Sequence, residues 1–376
     1  MVAWGEAARF DASGEGRFAE AGRWWQDTCA RASVDEGVGI RGSGLVAFGS
    51  FSFACDSAAG GALVVPAHVL GLRGGRSWLT TVSTSPSDTR DADAPADESP
   101  VRPVGGIRLS GASPEEWRRL VRKAIHRISG GDVEKVVLAR AIEAASDEPV
   151  DVRSILGTLA LDYPMCWTFH VDGMLGATPE LLARVDRGLV TSRVLAGTIR
   201  PSGNETADLA HAAALARSSK DREEHEFAVE SVTRVLDRLC TSINVPDAPS
   251  VMHLPNVMHL VTDVTGVLAK PTTSLELVSL LHPSAAVCGT PTDAASSLIA
   301  ELEGFDRGRY SGPVGWIDAS GDGEWGIALR SAEVDPSLTR LRLFSGCGIV
   351  AASDPDDEWA ESEAKLEPLM AALGLA

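Results

Sequence analysis

Two acidic stretches, DREEHEF and EWAESEAKL, hold the side chains of this sequence best spaced for chemistry. On a helix Asp221 and Glu224 share a face, and Glu358, Glu361 and Lys365 share another, at i, i+3 and i+7. Carboxylates crowded on one face repel each other unless a cation sits among them. Two such sets from distant segments could therefore hold a hard divalent ion such as Mg²⁺ through oxygen. The same spacing also describes two solvated acidic faces, with Glu361 and Lys365 as an ordinary i,i+4 ion pair, in a chain with 52 acidic residues. A lysine is the next candidate. In VEKVVLAR, strand alternation puts Lys135 on one face with Val133, Val137 and Ala139, and Glu134, Val136, Leu138 and Arg140 on the other. A lysine among valines either snorkels at a sheet edge or faces a cavity.

Other residues are weaker signals when taken singly. His225 and His259 could act as acid or base, although a lone histidine is more often a core or surface residue. Arg330 lies in the apolar run GIALRSA, where it could bind a carboxylate or pair at an edge. SGCGIV, with Gly346 and Gly348, and LAGTIRP, with Gly197 and Thr198, are strand ends where glycine permits a ligand to approach the backbone or simply marks a bulge. Glu180 follows a proline in GATPELLARV and is expected to open a helix or turn.

These residues need elements to position them. SPEEWRRLVRKAIHRI reads as a helix with Ser113 as N-cap, Pro114 at N1 and Glu116 completing a capping box. It stops at Ser129, Gly130 and Gly131 and delivers the chain into the strand carrying Lys135. Residues 205–240 read as two helical pieces meeting near 218–222, and 355–373 as a terminal helix. Runs at 256–268, 309–332 and 339–350 read as strands, as do FGSFSF and ALVVPAHVL nearer the start. Strands mixed with long helices, without regular βαβ spacing, predict an α+β fold. Residues 81–106, rich in Ser, Asp, Pro and Thr, read as a surface loop within one domain spanning 1–376.

At 376 residues and 44% hydrophobic composition the chain can build a large core. A formal net charge of −18 argues against nucleic acid or an anionic membrane as partner, so an anionic substrate needs local cations or a metal. The cysteines Cys29, Cys55, Cys166, Cys240, Cys288 and Cys347 show no CxxC or zinc spacing, and read as free thiols of a reducing compartment. Neither a signal peptide nor an apolar run long enough to span a membrane is present, so a cytoplasmic protein is expected.

In order, KVVLAR, GATPELL, LAGT, KDREEH, HL at 259–260, LHPSAAVCGTP, GWIDASGDGEWGIALRSA, GCGIV and EWAESEAK closely resemble the motifs of the chorismate-utilising enzymes. The resemblance covers about 110–376, the catalytic core, whereas 1–110 is divergent. It implies two large, mostly antiparallel sheets packed as a sandwich with helices outside. It also implies Lys135 as general base toward water and Glu180 as general acid. Glu224 and Glu361 match the family's Mg²⁺ ligands, with Asp221 and Glu358 reached through water. Arg330 and Tyr310 would hold the enolpyruvyl carboxylate of chorismate, and Lys365 its ring carboxylate. Gly197, Thr198, Gly346 and Gly348 would line the site, with His259 close by.

Two positions bear on the nucleophile. Water-using members carry Lys at the position of Lys135, where anthranilate synthases typically carry Gln. Aminodeoxychorismate synthases typically carry a nucleophilic Lys where this chain has Ala196. The resemblance therefore implies an isochorismate synthase, serving menaquinone, siderophore or salicylate synthesis, with no glutaminase subunit and expected as a monomer. A salicylate synthase, an ammonia-using synthase and a non-catalytic chorismate-binding homologue are the alternatives. Cys347 stands where the family usually has Ala, Cys288 replaces a common Ser, and Thr198 replaces the Ser frequent in isochorismate synthases.

Overall fold

The computed structural model describes residues 1–84 and 100–375, so most of the expected 81–106 loop, residues 85–99, lies outside the described residues. Three antiparallel sheets form the frame. The ten-stranded sheet runs in the order Cys240–Asn244, Met258–Leu268, Leu189–Ile199, Leu181–Asp186, Gly323–Ile327, Pro313–Asp318, Val46–Phe51, Gly61–Val65 and Ala8–Ala12, with Ser250–His253 also on Met258–Leu268. The seven-stranded sheet runs Gly289–Thr290, Lys135–Ala145, Arg340–Ile349, Ser331–Val334, Met174–Thr178 and Trp167–Val171, with Arg108–Gly111 on the Lys135 strand. Val2–Trp4, His68–Arg73 and Arg76–Thr81 make a small third sheet that the sequence did not separate from the rest.

Alternation sorts the strand from Lys135 onward, whereas Val133, expected on the Lys135 face, precedes the strand and joins the core of Val136 and Leu138. Val136 and Leu138 enter the largest core, with Leu182, Val194, Trp325 and Ile327 of the ten-stranded sheet. Ala139 enters a second cluster with Met174, Phe344 and Val314. Both clusters join side chains of the two large sheets, which pack as a sandwich. The predicted helix forms as Pro114–Ser129, with the Ser113 and Glu116 capping box closed in both directions, and buries Trp117, Val121, Ala124 and Ile128. Truncating Trp117 to Ala would cost about 3–5 kcal/mol by lost burial and a cavity.

The helical pair breaks at Ser218, whose side chain caps the second piece by accepting from the Asp221 N–H. That second helix, Ser219–Leu239, packs on Leu189–Ile199, and the terminal helix Pro355–Ala372 packs on Arg340–Ile349. The 309–332 run resolves into separate strands, because the turn through Gly321 (φ +88°) ends Pro313–Asp318 before Gly323–Ile327 begins. Among the described residues, no helix is long and apolar enough to cross a membrane.

Candidate active site

The chain crosses between the two large sheets at Pro179 and Glu180, linking Met174–Thr178 to Leu181–Asp186. It crosses back at 328–330, linking Gly323–Ile327 to Ser331–Val334. The crossings lie side by side: Ile327 N–H donates to Glu180 O at 3.2 Å, and Ala177 N–H donates to Arg330 O at 3.2 Å. A Cβ on Gly176 would sit 2.5 Å from Arg330 O, so only glycine admits this approach. Glu180 is therefore neither a helix start nor an ordinary turn; a pair of sheet-to-sheet crossings presents Glu180 and Arg330 to one cleft. Arg330 holds φ +50°, which costs energy for a non-glycine residue and is typical of functional positions.

The cleft is lined by Glu180, Gly197, Thr198, Glu224, His259, Tyr310, Arg330, Gly346, Gly348 and Lys365 among the expected residues. Val137, Ala286, Val287, Leu329 and Phe344 supply apolar wall. Glu180 is 4% exposed. Burial pushes its carboxyl up to about 8, against the pull of Lys135, a backbone hydrogen bond, Lys365 and Arg330. At neutral pH it carries a proton it can donate.

Within the cleft, Arg330 Nη2 donates to His259 Nε2 at 2.8 Å. An arginine has no acceptor, so His259 carries its proton on Nδ1. That nitrogen faces Gly197 O at 3.1 Å and Thr198 Oγ1 at 3.2 Å. Burial, then the charges of Arg330 and Lys365, push His259 down to about 3, so it is neutral and orients the guanidinium. Arg330 Nη1 is buried with no hydrogen-bond partner. Tyr310 stacks on Phe344 with centroids 4.8 Å apart and planes at 8°. An unpartnered guanidinium N–H in an apolar wall suits a ligand carboxylate.

A neighbouring group, joined to His259 through Thr198, holds carboxylates, of which Glu224, Glu358 and Glu361 each pair with a lysine. Lys135 Nζ lies 3.4 Å from Glu224 Oε1 and donates to Glu224 O at 3.3 Å. Lys220 meets Glu358 at 2.6 Å, and Lys365 meets Glu361 at 2.5 Å. Gly348 makes the first pair possible, since a Cβ there would lie 1.9 Å from Glu224 Oε1 and 3.0 Å from Lys135 Cε. Glu358 and Glu361 offer oxygens within 4.8 Å of each other and of Cys347 Sγ. Burial and the nearby charge of Glu361 push Glu358 up to about 7. Burial opposes the charge on Glu361 too, but Lys365 and Lys220 hold it below the usual carboxylate range. Burial drives the Cys347 thiol well up, and it donates to Glu358 O at 3.3 Å, so it stays protonated and is no ligand for a hard cation. Two crowded, buried carboxylates with Glu224 nearby nevertheless fit Mg²⁺, whose charge would relieve their repulsion.

Lys135, Asp221 and Glu361 stand behind the lining, each touching a lining residue, and Glu358 stands further back, against Lys220 and Cys347. Glu361 accepts from Thr198 Oγ1 at 3.1 Å. Asp221 accepts from Thr198 N–H at 3.3 Å and packs on Gly197, where a Cβ would be 2.9 Å from the Asp221 Cβ. Like Glu224, it lies outside the Cys347, Glu358 and Glu361 group, and its hydrogen bond braces the Gly197 bend. Lys365, expected on the ring carboxylate, lines the cleft, pairs with Glu361 and donates to Gly346 O at 3.1 Å. His225 does not line the cleft; its Nε2 faces Thr262 Oγ1 at 2.8 Å, and burial pushes it down to about 4. Sequence reasoning missed Lys220, although it stands in the quoted KDREEH, because its partner Glu358 is remote in sequence.

The family model for the chorismate binding enzyme matches residues 1–374. Isochorismate synthase DhbC of Bacillus subtilis is 38% identical over 274 residues, 70% of this chain and 68% of that one. Isochorismate synthase EntC of Escherichia coli K12 is 38% identical over 271 residues, 70% of this chain and 69% of that one. The solved structure of MenF, the menaquinone-specific isochorismate synthase from Escherichia coli, superposes with a TM-score of 0.80 at 25% identity, covering 99% of this chain and 85% of that one. The chain belongs to the chorismate binding enzyme family.

Proposed function

We propose that the protein is an isochorismate synthase that isomerises chorismate in a Mg²⁺-dependent reaction. One observation carries the reading: Glu180, held protonated by burial, presents to the cleft that Lys135 underlies through Glu224. Water adds at C2 of the ring, the double bonds shift, and the C4 hydroxyl departs. Hydroxide is a poor leaving group, so Glu180 donates the proton that lets it leave as water. Glu224 lines the cleft and Lys135 does not, so the proton lost by the attacking water passes to Lys135, acting as the free amine, through the Glu224 contact. The added and released waters balance, and the reaction is a net isomerisation.

Arg330 offers its unpartnered Nη1 to the enolpyruvyl carboxylate, with Tyr310 beside it. His259, neutral and hydrogen-bonded to the same guanidinium, keeps that group aimed. Glu224, Glu358 and Glu361 would hold Mg²⁺, with Asp221 buttressing the Gly197 bend. When bound, the ion would neutralise these carboxylates and the ring carboxylate of the substrate. Lys365, by pairing with Glu361, keeps its cation in the same group.

The test is to incubate purified protein with chorismate and Mg²⁺, without ammonia, and resolve products by chromatography with fluorescence detection. Isochorismate as the sole product supports the proposal. Salicylate with pyruvate would assign a lyase-capable enzyme instead, and product only after ammonia is added would assign a different nucleophile.

A further inference from the structure

A second charged pair lies behind the cleft without lining it. Glu303 ends the helix Thr292–Glu303, Gly304 (φ +70°) reverses the chain, and Arg307 returns over it. The two side chains are 0% and 2% exposed, and Arg307 Nε donates to Glu303 Oε2 at 2.9 Å. Burying both charges costs desolvation that only good geometry and further hydrogen bonds offset. The Lys135 strand supplies those bonds. One edge of it pairs with Arg340–Ile349. On the other edge, Gly289 and Thr290 pair with Val136 and Lys135, and Arg108–Gly111 pairs beyond, from Ile142 to Ala145. Between them, among the described residues, no strand covers the edge.

In that gap Glu303 Oε1 accepts Ala139 N–H at 2.7 Å, and Arg307 Nη2 donates to Val137 O at 2.7 Å. Carboxylate and guanidinium stand in for the acceptor and donor of a missing strand. Arg307 also ties in two lining segments: Nη1 donates to Val287 O at 2.9 Å, and its own carbonyl accepts Tyr310 N–H at 3.1 Å.

We propose that Glu303 and Arg307 are positioning residues, a side-chain bridge that fixes the Lys135 strand, the 284–288 segment and Tyr310 in one register. The catalytic consequence rests on the isochorismate synthase reading; the bridge itself does not. Small displacements of a reacting group cost about 10–100-fold in rate.

The test compares the full-length wild type with Arg307→Lys and Glu303→Gln. Lysine keeps the charge but lacks the planar fork that serves Val137, Val287 and Glu303 together. Glutamine keeps an acceptor for Ala139 and loses the charge. The readouts are kcat and KM for chorismate, and amide hydrogen exchange of the peptide spanning 136–141. Arg307→Lys is expected to lower kcat about 10–100-fold with KM changed by less than about threefold, and to speed exchange about tenfold. Glu303→Gln is expected to do the same more weakly, and it carries the test alone if Arg307→Lys does not fold. Unchanged kcat in a folded variant with faster exchange would reduce the pair to a structural role and overturn the proposal. If the wild type itself makes no isochorismate, the functional reading fails. The bridge is then judged by exchange alone, and unchanged protection of 136–141 in both variants would overturn it.

Discussion

Two neighbouring groups in the cleft, linked through His259, Thr198 and Glu361, handle negative charge by opposite means. In the Arg330 group a cation waits with a spare donor: Nη1 is buried and unpartnered, and a neutral histidine holds the other arm of the fork. In the carboxylate group the lysines are already committed, Lys135 to Glu224, Lys220 to Glu358 and Lys365 to Glu361. The first group is ready for a carboxylate as it stands. The second is neutralised internally, so it gains affinity for an anion only when a further cation joins its carboxylates. A substrate with two carboxylates and a protein with a net charge of −18 are reconciled by one bare guanidinium and one metal-dependent group. Glu180 feels both, since Lys135, Lys365 and Arg330 all pull on its proton while burial holds it.

Removing the acid that spans this contrast should do the most damage. Glu180→Gln keeps the size and hydrogen bonding but cannot donate a proton, and kcat should fall about 10²–10⁴-fold with the fold intact by circular dichroism. The wild type should show the matching pH signature. A group that acts as an acid works while protonated, so kcat/KM should hold at neutral pH and fall as pH rises through about 8. Glu180→Gln should lose that alkaline limb.

In the bare-cation group, Arg330→Lys should raise KM for chorismate about 10–100-fold with a smaller change in kcat, because one charge-assisted hydrogen bond and its fork geometry are lost. Mg²⁺ titration should leave this defect in place. In the committed group the response should be the reverse. Glu361→Gln should raise the Mg²⁺ concentration for half-maximal turnover about tenfold or more, and excess metal should recover part of the rate. If Arg330→Lys proved metal-rescuable, or Glu361→Gln did not, the two groups would not differ as described.

Cys347→Ala should have the smallest effect. The thiol is fully buried and protonated, and donates one hydrogen bond to Glu358 O. Its loss should cost about 1 kcal/mol of stability in a denaturant titration and change the Mg²⁺ requirement by less than about threefold.

The sequence exposed what short-range rules control. The capping box at Ser113, the break at Ser218 and the alternation that buries Val136 and Leu138 while turning Val137 to the cleft follow from spacing alone. So do the shared helix faces of Glu358 and Glu361. What stayed hidden depends on partners far along the chain. Glu180 read as a helix start or turn because nothing local shows that the chain leaves one sheet for another at that residue. The Glu361–Lys365 ion pair was legible as one of two readings of the i,i+4 spacing, which permits the pair without deciding it. Lys220 and the Glu303 and Arg307 bridge were invisible because their work is done on segments more than a hundred residues distant. The small sheet was hidden differently: His68–Arg73 and Arg76–Thr81 form a local hairpin, and only Val2–Trp4 joins it from another segment.

The most direct test of water attack across this cleft is turnover of chorismate with Mg²⁺ in H₂¹⁸O, with the product read by mass spectrometry. Addition of solvent water at C2 with loss of the C4 hydroxyl predicts isochorismate carrying one ¹⁸O in its ring hydroxyl, at a rate that collapses in Glu180→Gln. Unlabelled isochorismate would mean that the C4 oxygen migrates within the substrate, and the roles given to Lys135 and Glu180 would be wrong.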